Sequence, residues 1–262
     1  MQKKKQILLS FDVEEFDTPL EYGKNIPLDE QFRYSHEGLL EIIKLLNMHD
    51  IKATFFTTAN FALRYPKLIK EISDTHEIAS HGFYHSNYRE EDLALSKQVL
   101  EDITGKKIYG YRMARMMPID NKAIREAGYH YNASLHPTFI PGRYNNFNKP
   151  RVPFIADSLL QIPASVTPVF RFPVFWLSFK NFPLAIIKTA TRRIINKDGF
   201  ANFYFHPWEF TPINNKKELG LPFYISKLSG NRMLRKLDCF IKWAKLLKME
   251  FCTYSDFAQS IK

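Results

Sequence analysis

The chain has 262 residues, enough for one large domain, and α/β barrels commonly run near ~250 residues as a single unit. With 45% apolar and 24% charged residues it has the balance of an ordinary globular chain, and its two cysteines, Cys239 and Cys252, are too few for a disulfide framework or a thiolate metal cluster. A net charge of +10 points to anionic partners, but no helix-turn-helix, zinc-finger or RNA-binding signature accompanies it, which argues against nucleic acid.

Both cysteines lie in apolar, periodic segments and read as buried thiols. The start, MQKKKQILLSFD, is basic, but its apolar run is too short for a signal peptide, and cleavage would remove the first strand. A cytoplasmic protein is expected, with an adjacent partner as the means of holding it at a membrane. Residues 169–187 are the most apolar later stretch. Arg171, Lys180, Pro173 and Pro183 interrupt them, so the stretch does not read as a membrane span, although it is able to touch one.

In chain order, ILLSFD (7–12) reads as a buried strand ending in an acid. Residues 36–49 carry Leu39, Leu40, Ile43 and Leu46 at helical spacing. ATFFTT (53–58) is a strand, 60–73 a helix around Pro66, and EIAS (77–80) a strand running into His81. Helices over 90–105 and 120–128 stop at Gly105 and Gly128, and IYGYR (108–112) between them is a strand ending at Arg112. YNASL (131–135) is a brief strand, and 136–158 a long loop rich in Pro, Asn and aromatics. Strands follow at 159–165, 201–206 and 250–255, with a basic amphipathic helix at 183–196 and the strongest helical pattern at 231–248. Alternating strands and helices imply a parallel sheet with crossover helices. Seven or eight such units suit a barrel, with a doubly wound sheet as the alternative; no Gly-rich nucleotide loop is present.

Chemistry collects where these strands end. Asp12 and Glu14 follow the first, His81 and His85 the third, Arg112 the next, and His206 the strand 201–206. Active sites of parallel barrels lie at the C-terminal strand ends. His81 and His85, spaced i, i+4, form with a nearby carboxylate the two-histidine, one-carboxylate set of a hydrolytic zinc site. His206 is a candidate general acid because imidazole titrates near neutrality. Arg112 is placed to orient a carboxylate at the barrel mouth. Phe83, Tyr84, Tyr111, Trp176 and Trp208 supply aromatic faces for a sugar, and core packing is the competing use of each.

Taken together, SFDVEEF, EIASHGFYH, GYRMAR, YNASLHP and FYFHPWEF resemble, in order, the five motifs of the polysaccharide deacetylases, carbohydrate esterase family 4, in a branch with an HPWE-type fifth motif. The resemblance runs from Leu8 to Phe257. It implies a distorted (β/α)7 barrel, a single catalytic domain over residues 1–262, and a metal-dependent hydrolase removing N-acetyl groups from a sugar or polysaccharide of the cell envelope. Asp12 would be the catalytic base, oriented by Arg112; Glu14, His81 and His85 would hold a divalent metal, Zn²⁺; and His206 would be the general acid. Tyr84, Tyr111 and Trp208 are the expected substrate contacts. Three positions depart from the family pattern: Glu14 stands where Asp is usual, with Glu15 beside it as a competitor; the usual proline near Ala114 is missing; and Asn132 stands where an acid usually supports the catalytic histidine. Either another acid substitutes, with Glu209 the nearest candidate in sequence, or the enzyme is slow and prefers lower pH.

Competing readings are a hydrolase of a small cyclic amide in the same superfamily, and a metal- or glycan-binding barrel with weak catalysis. Lys188, Arg192, Arg193 and Lys197, beside FRFPVFW, are a candidate patch for an anionic membrane or polymer, with a solvated basic face as the competing reading.

Overall fold

The computed structural model describes residues 5–213 and 217–261. Its elements are β1 (Gln6–Val13), α1 (Leu28–Met48), β2 (Thr54–Thr57), α2 (Ala59–Arg64), α3 (Pro66–Thr75), β3 (Glu77–Ser80), α4 (Asp92–Thr104), β4 (Gly110–Tyr111), α5 (Asn121–Glu126), β5 (Tyr131–Asn132), β6 (Phe139–Ile140), β7 (Tyr144–Asn145), β8 (Phe154–Ala156), β9 (Leu159–Gln161), α6 (Trp176–Asn181), α7 (Leu184–Asp198), β10 (Phe200–Phe205), α8 (Phe223–Ser226), α9 (Asn231–Leu246), β11 (Glu250–Phe251) and α10 (Tyr254–Ser260).

Seven strands run parallel in the order β10-β1-β2-β3-β4-β5-β9, with β8 antiparallel at the edge and β11 beside the start of β1. This is a distorted (β/α)7 barrel. Strands covered on both faces read as continuous apolar runs, which is why ILLSF gives no polar alternation. Ile7, Leu9, Phe11 and Val13 face the helices, while Leu8 faces inward with Phe56, Ala79, Tyr131 and Ile162. Period-two alternation places Ser10 and Asp12 on the inward face with Leu8.

No backbone ladder joins β9 to β10 among the described residues; side chains close that seam. Asn202 Oδ1 accepts from the Ser165 N–H at 2.7 Å, its Nδ2 donates to the Pro163 carbonyl at 2.7 Å, and its own N–H donates to Ser165 Oγ at 2.9 Å. One amide thus satisfies buried backbone groups that a missing strand pair would leave unpaired. The opposite end is plugged by α10, whose Tyr254, Phe257 and Ala258 join the inner cluster.

Several expectations change. The loop 136–158 contains the β6–β7 hairpin and β8, and the strand expected at 250–255 ends at Phe251 because Thr253 caps α10. Cys239 is exposed and Cys252 half-buried, so neither is a fully buried thiol; Cys239 falls on the outward face of α9, between the buried Leu237 and Phe240. The expected basic patch is divided. Lys188 and Arg192 lie over the Trp243 ring, whereas Arg193 and Lys197 share a groove with the exposed Val169 and Phe170. Among the described residues no helix is long and apolar enough to cross a membrane.

Helix α1 packs on the turn Pro207–Phe210 through Gly38, where a Cβ would lie 1.8 Å from the Pro207 carbonyl oxygen. Backbone cannot yield to that contact as a flexible side chain can. Gly38→Ala is therefore expected to lower stability by about 2 kcal/mol or more, read as a lower denaturant midpoint, and to disturb the 206–209 turn although residue 38 carries no chemistry.

Candidate metal centre and acid–base site

The end of β1 delivers two acids to different places. Asp12 is the last inward residue of the strand, and Arg112, leaving β4 with its N–H donating to the Ser80 carbonyl, meets it with Nη1 2.5 Å from Oδ1. The guanidinium is almost wholly buried. It also donates to Ser10 Oγ (2.9 Å), Tyr254 Oη (2.9 Å) and the Ala133 carbonyl (3.3 Å), and lies 3.9 Å from the centre of the Phe56 ring. Burial works against the Arg112 charge, but Asp12, with Tyr254 and Tyr204 beside it, more than offsets this and raises the guanidinium pKa.

Glu14, two residues on, turns towards both histidines. Its Oε2 lies 3.2 Å from His81 Nε2 and 3.0 Å from His85 Nε2, and the three ligand atoms fall within 4.8 Å of one another. The other ring nitrogens are already engaged: His81 Nδ1 donates to the Arg112 carbonyl at 2.8 Å, and His85 Nδ1 to Asp17 Oδ1 at 2.8 Å. Those bonds fix the tautomers that free both Nε2 atoms for a cation, as supporting partners of metal-binding histidines generally do. Burial would raise the Glu14 carboxyl, but the charges of His85, His206 and His81 hold it well below the usual carboxylate range. Burial likewise opposes protonation of His85, while Glu14 and Asp17 on either side raise it to about 9; a metal would take that proton's place. The donor set and its outer hydrogen bonds fit a divalent metal. Glu15, the competing acid, turns away to Thr58 and Asn60.

His206 follows β10 and stacks on Trp208 at 5.1 Å, with Trp176 edge-on at 5.3 Å. Glu209 supports it, Oε1 accepting from the His206 N–H at 2.9 Å and lying 3.2 Å from ring Nδ1. Burial lowers the imidazole pKa, but Glu14, Glu209 and Asp12 together bring it above its ordinary value. Asn132 takes no part in this. Its Oδ1 accepts from the Ser134 N–H and hydroxyl, and its Nδ2 donates to Asn121 at 3.2 Å, so the expected Asn132–His206 support is replaced by an i, i+3 contact within HPWE.

Asp12, Glu14, His81, His85, His206, Trp176 and Trp208 all line one cavity of about 220 Å³ at the barrel mouth. Trp208 is nevertheless nearly buried, its Nε1 donating to Glu14 Oε1 at 3.4 Å and its ring stacked on Phe16. The expected contacts Tyr84 and Tyr111 do not line the cavity: Tyr84 is half-exposed beside Phe83, and Tyr111 is core, its hydroxyl donating to Met113 Sδ. Tyr204 and Tyr144, not singled out from sequence, do line it, with His136 Nδ1 2.9 Å from Tyr144 Oη and 3.3 Å from Tyr204 Oη. Asp17 was also missed as an individual residue, although it belongs to the acid-rich FDVEEFD run.

The family model for polysaccharide deacetylase matches residues 2–131. Among solved structures, one described as a probable polysaccharide deacetylase from Pseudomonas aeruginosa superposes with a TM-score of 0.69 at 17% identity, covering 97% of this chain and 89% of that one. An allantoinase superposes at 0.67 with 19% identity, covering 98% and 90%. A CE4 family pseudoenzyme from Bacillus anthracis superposes at 0.53 with 15% identity; the match covers 98% of this chain but 66% of that protein's length. No curated protein matches the chain. At these identities the structures speak for the fold alone.

Asp17 reaches the cluster only through His85. Asp17→Asn is expected to weaken Zn²⁺ affinity about 10- to 100-fold while the fold is kept, as measured by competition with a chromophoric chelator. An unchanged affinity would show that His85 is oriented without it.

Proposed function

We propose that this chain, which belongs to the polysaccharide deacetylase family, is a metal-dependent hydrolase that removes the N-acetyl group from an N-acetylated sugar, releasing acetate and a free amine. One observation carries the reading: a carboxylate held by arginine, a histidine held by glutamate and a Glu/His/His cluster line the same aromatic-walled cavity.

Glu14, His81 and His85 would hold the metal, Zn²⁺ in this reading. Bound there, it would lower the pKa of a water towards ~7 and polarise the acetamide carbonyl. Asp12 accepts the proton of the attacking water, and Arg112 fixes its orientation. His206 donates a proton to the departing nitrogen, a step worth roughly 10²–10⁴ in rate because an unprotonated amine leaves poorly. Glu209 stabilises the imidazolium that does this. Trp176, half-buried on the cavity wall, offers a ring face to the apolar side of a pyranose, whereas Trp208 is buried with its ring stacked on Phe16 and His206. The cavity is small for a ligand site, so it suits one sugar ring and its acetamide.

That small volume also favours a second reading, hydrolysis of a small cyclic amide; one structure of similar fold is an allantoinase. Acetate release from a panel of N-acetylated sugars and glycans, set beside ring opening of cyclic ureides, decides between them. Zn²⁺-dependent acetate release is expected. Asp12→Asn should retain the metal and lose at least about 10²-fold in kcat; loss of the metal as well would make Asp12 a ligand.

The pH profile tests Glu209. A general acid works in its protonated form, so activity falls as pH rises through its pKa. Glu209 raises the pKa of His206, and Glu209→Gln removes that charge but preserves shape. The basic limb of kcat/KM should therefore move to lower pH. A limb that stays in place would mean that His206 is not the acid or that Glu209 does not tune it.

A further inference from the structure

Lys180 is a charged residue buried out of contact with water, in a place the mechanism above does not use. Its side chain has no measurable exposure, and it does not line the cavity. An ammonium in the interior is costly unless it is paired and hydrogen-bonded. Here Nζ donates to the Ile225 carbonyl at 2.8 Å and lies 3.3 Å from Oε2 of Glu209. The contact with Glu209 is a charge pair rather than an aligned hydrogen bond, since Oε2 has no hydrogen-bond partner. Nζ is also 5.5 Å from the Trp176 ring centre and 5.4 Å from that of Trp208, the two rings that enclose His206.

The two oxygens of Glu209 are therefore divided between His206 and Lys180. Oε1 serves the backbone and ring of His206, and Oε2 faces Lys180. Glu209 is wholly buried, and the Lys180 ammonium supplies the counter-charge that a carboxylate needs away from water. Lys180 stands on α6, the helix that begins at Trp176, so one short helix supplies both a wall of the cavity and the counter-charge behind it.

We propose that Lys180 is a positioning residue for the deacetylation, acting through Glu209 to keep His206 competent as the proton donor to the leaving nitrogen. The inference rests on the function proposed above. Four proteins decide it: wild type, Lys180→Met, Glu209→Gln and the double variant, each loaded with Zn²⁺ and assayed on an N-acetylated sugar and on 4-nitrophenyl acetate. The leaving group of that ester needs no proton, so its hydrolysis does not call on His206.

Lys180→Met should lower kcat on the amide by about tenfold or more, with KM changed by less than about twofold. Ester hydrolysis should fall by no more than about threefold, because only proton donation is impaired. The double variant should be no slower than Glu209→Gln alone, since residues acting as one unit are not additive. Equal loss on amide and ester would reduce Lys180 to a structural residue, and multiplicative losses in the double variant would show that it acts apart from Glu209; either overturns the proposal. If Lys180→Met does not fold, the double variant, which removes both charges together, carries the comparison with Glu209→Gln. A wild type that hydrolyses no N-acetylated sugar would overturn the function proposed above, and this inference with it.

Discussion

A guanidinium in the centre of a barrel must be matched from every side, and the burial of Arg112 sets the terms for much of this structure. Its donors reach Ser10 and Asp12 on β1, the carbonyl of Ala133 just after β5, and the hydroxyl of Tyr254 on the plug helix, while Phe56 of β2 lies under its face. The ends of three strands and the C-terminal helix are thus held to one planar group, whose fixed fork of N–H donors specifies direction as well as charge. The carbonyl of the same residue accepts from His81 Nδ1. One residue therefore orients the candidate base through its side chain and a candidate metal ligand through its backbone.

The rest of the site follows the same logic of outer partners fixing inner ones. His81 is set by a carbonyl, His85 by Asp17, Asp12 by Arg112 and His206 by Glu209. Each chemically active atom is left free because the other end of its side chain is already engaged, and such preorganisation is what an active site requires of its supporting shell. Asp17 is itself tied to Arg115, which reaches on to Glu21, so the chain of fixed contacts extends to the cavity rim. Behind Glu209, Lys180 completes a second such chain through the two tryptophans.

The seam between β9 and β10 shows why the barrel is distorted. Ser165, past the end of β9, and Asn202 on β10 meet through side-chain hydrogen bonds, with no ladder between the two strands among the described residues. A side-chain bridge satisfies the buried backbone without demanding strand spacing, and residues 162–175 pass from that seam to α6, which carries Trp176 and Lys180.

The sequence by itself determined the alternation of elements, because apolar runs of period two and 3.6 are local properties. It also determined the four strand ends that bear chemistry, since a polar residue closing a buried strand stands out without knowledge of the partner. Gly105 as a helix stop was legible for the same reason: it takes a left-handed conformation at φ +68°. Tertiary structure alone decided which acid meets which histidine. Glu14 and Glu15 are adjacent and identical in type, and only the placement of Thr58 and Asn60 draws Glu15 away. Asn132 and Glu209 both stood as candidate partners for His206. The i, i+3 turn delivers Glu209, whereas Asn132 is claimed by Ser134 two residues along its own chain. Tyr111 and Tyr84 look alike as aromatic candidates, and the fold buries one and half-exposes the other. Lys180 reads in sequence as an interruption of an apolar run; only a buried carboxylate from the turn after β10, brought beside it by folding, makes a charge there tolerable.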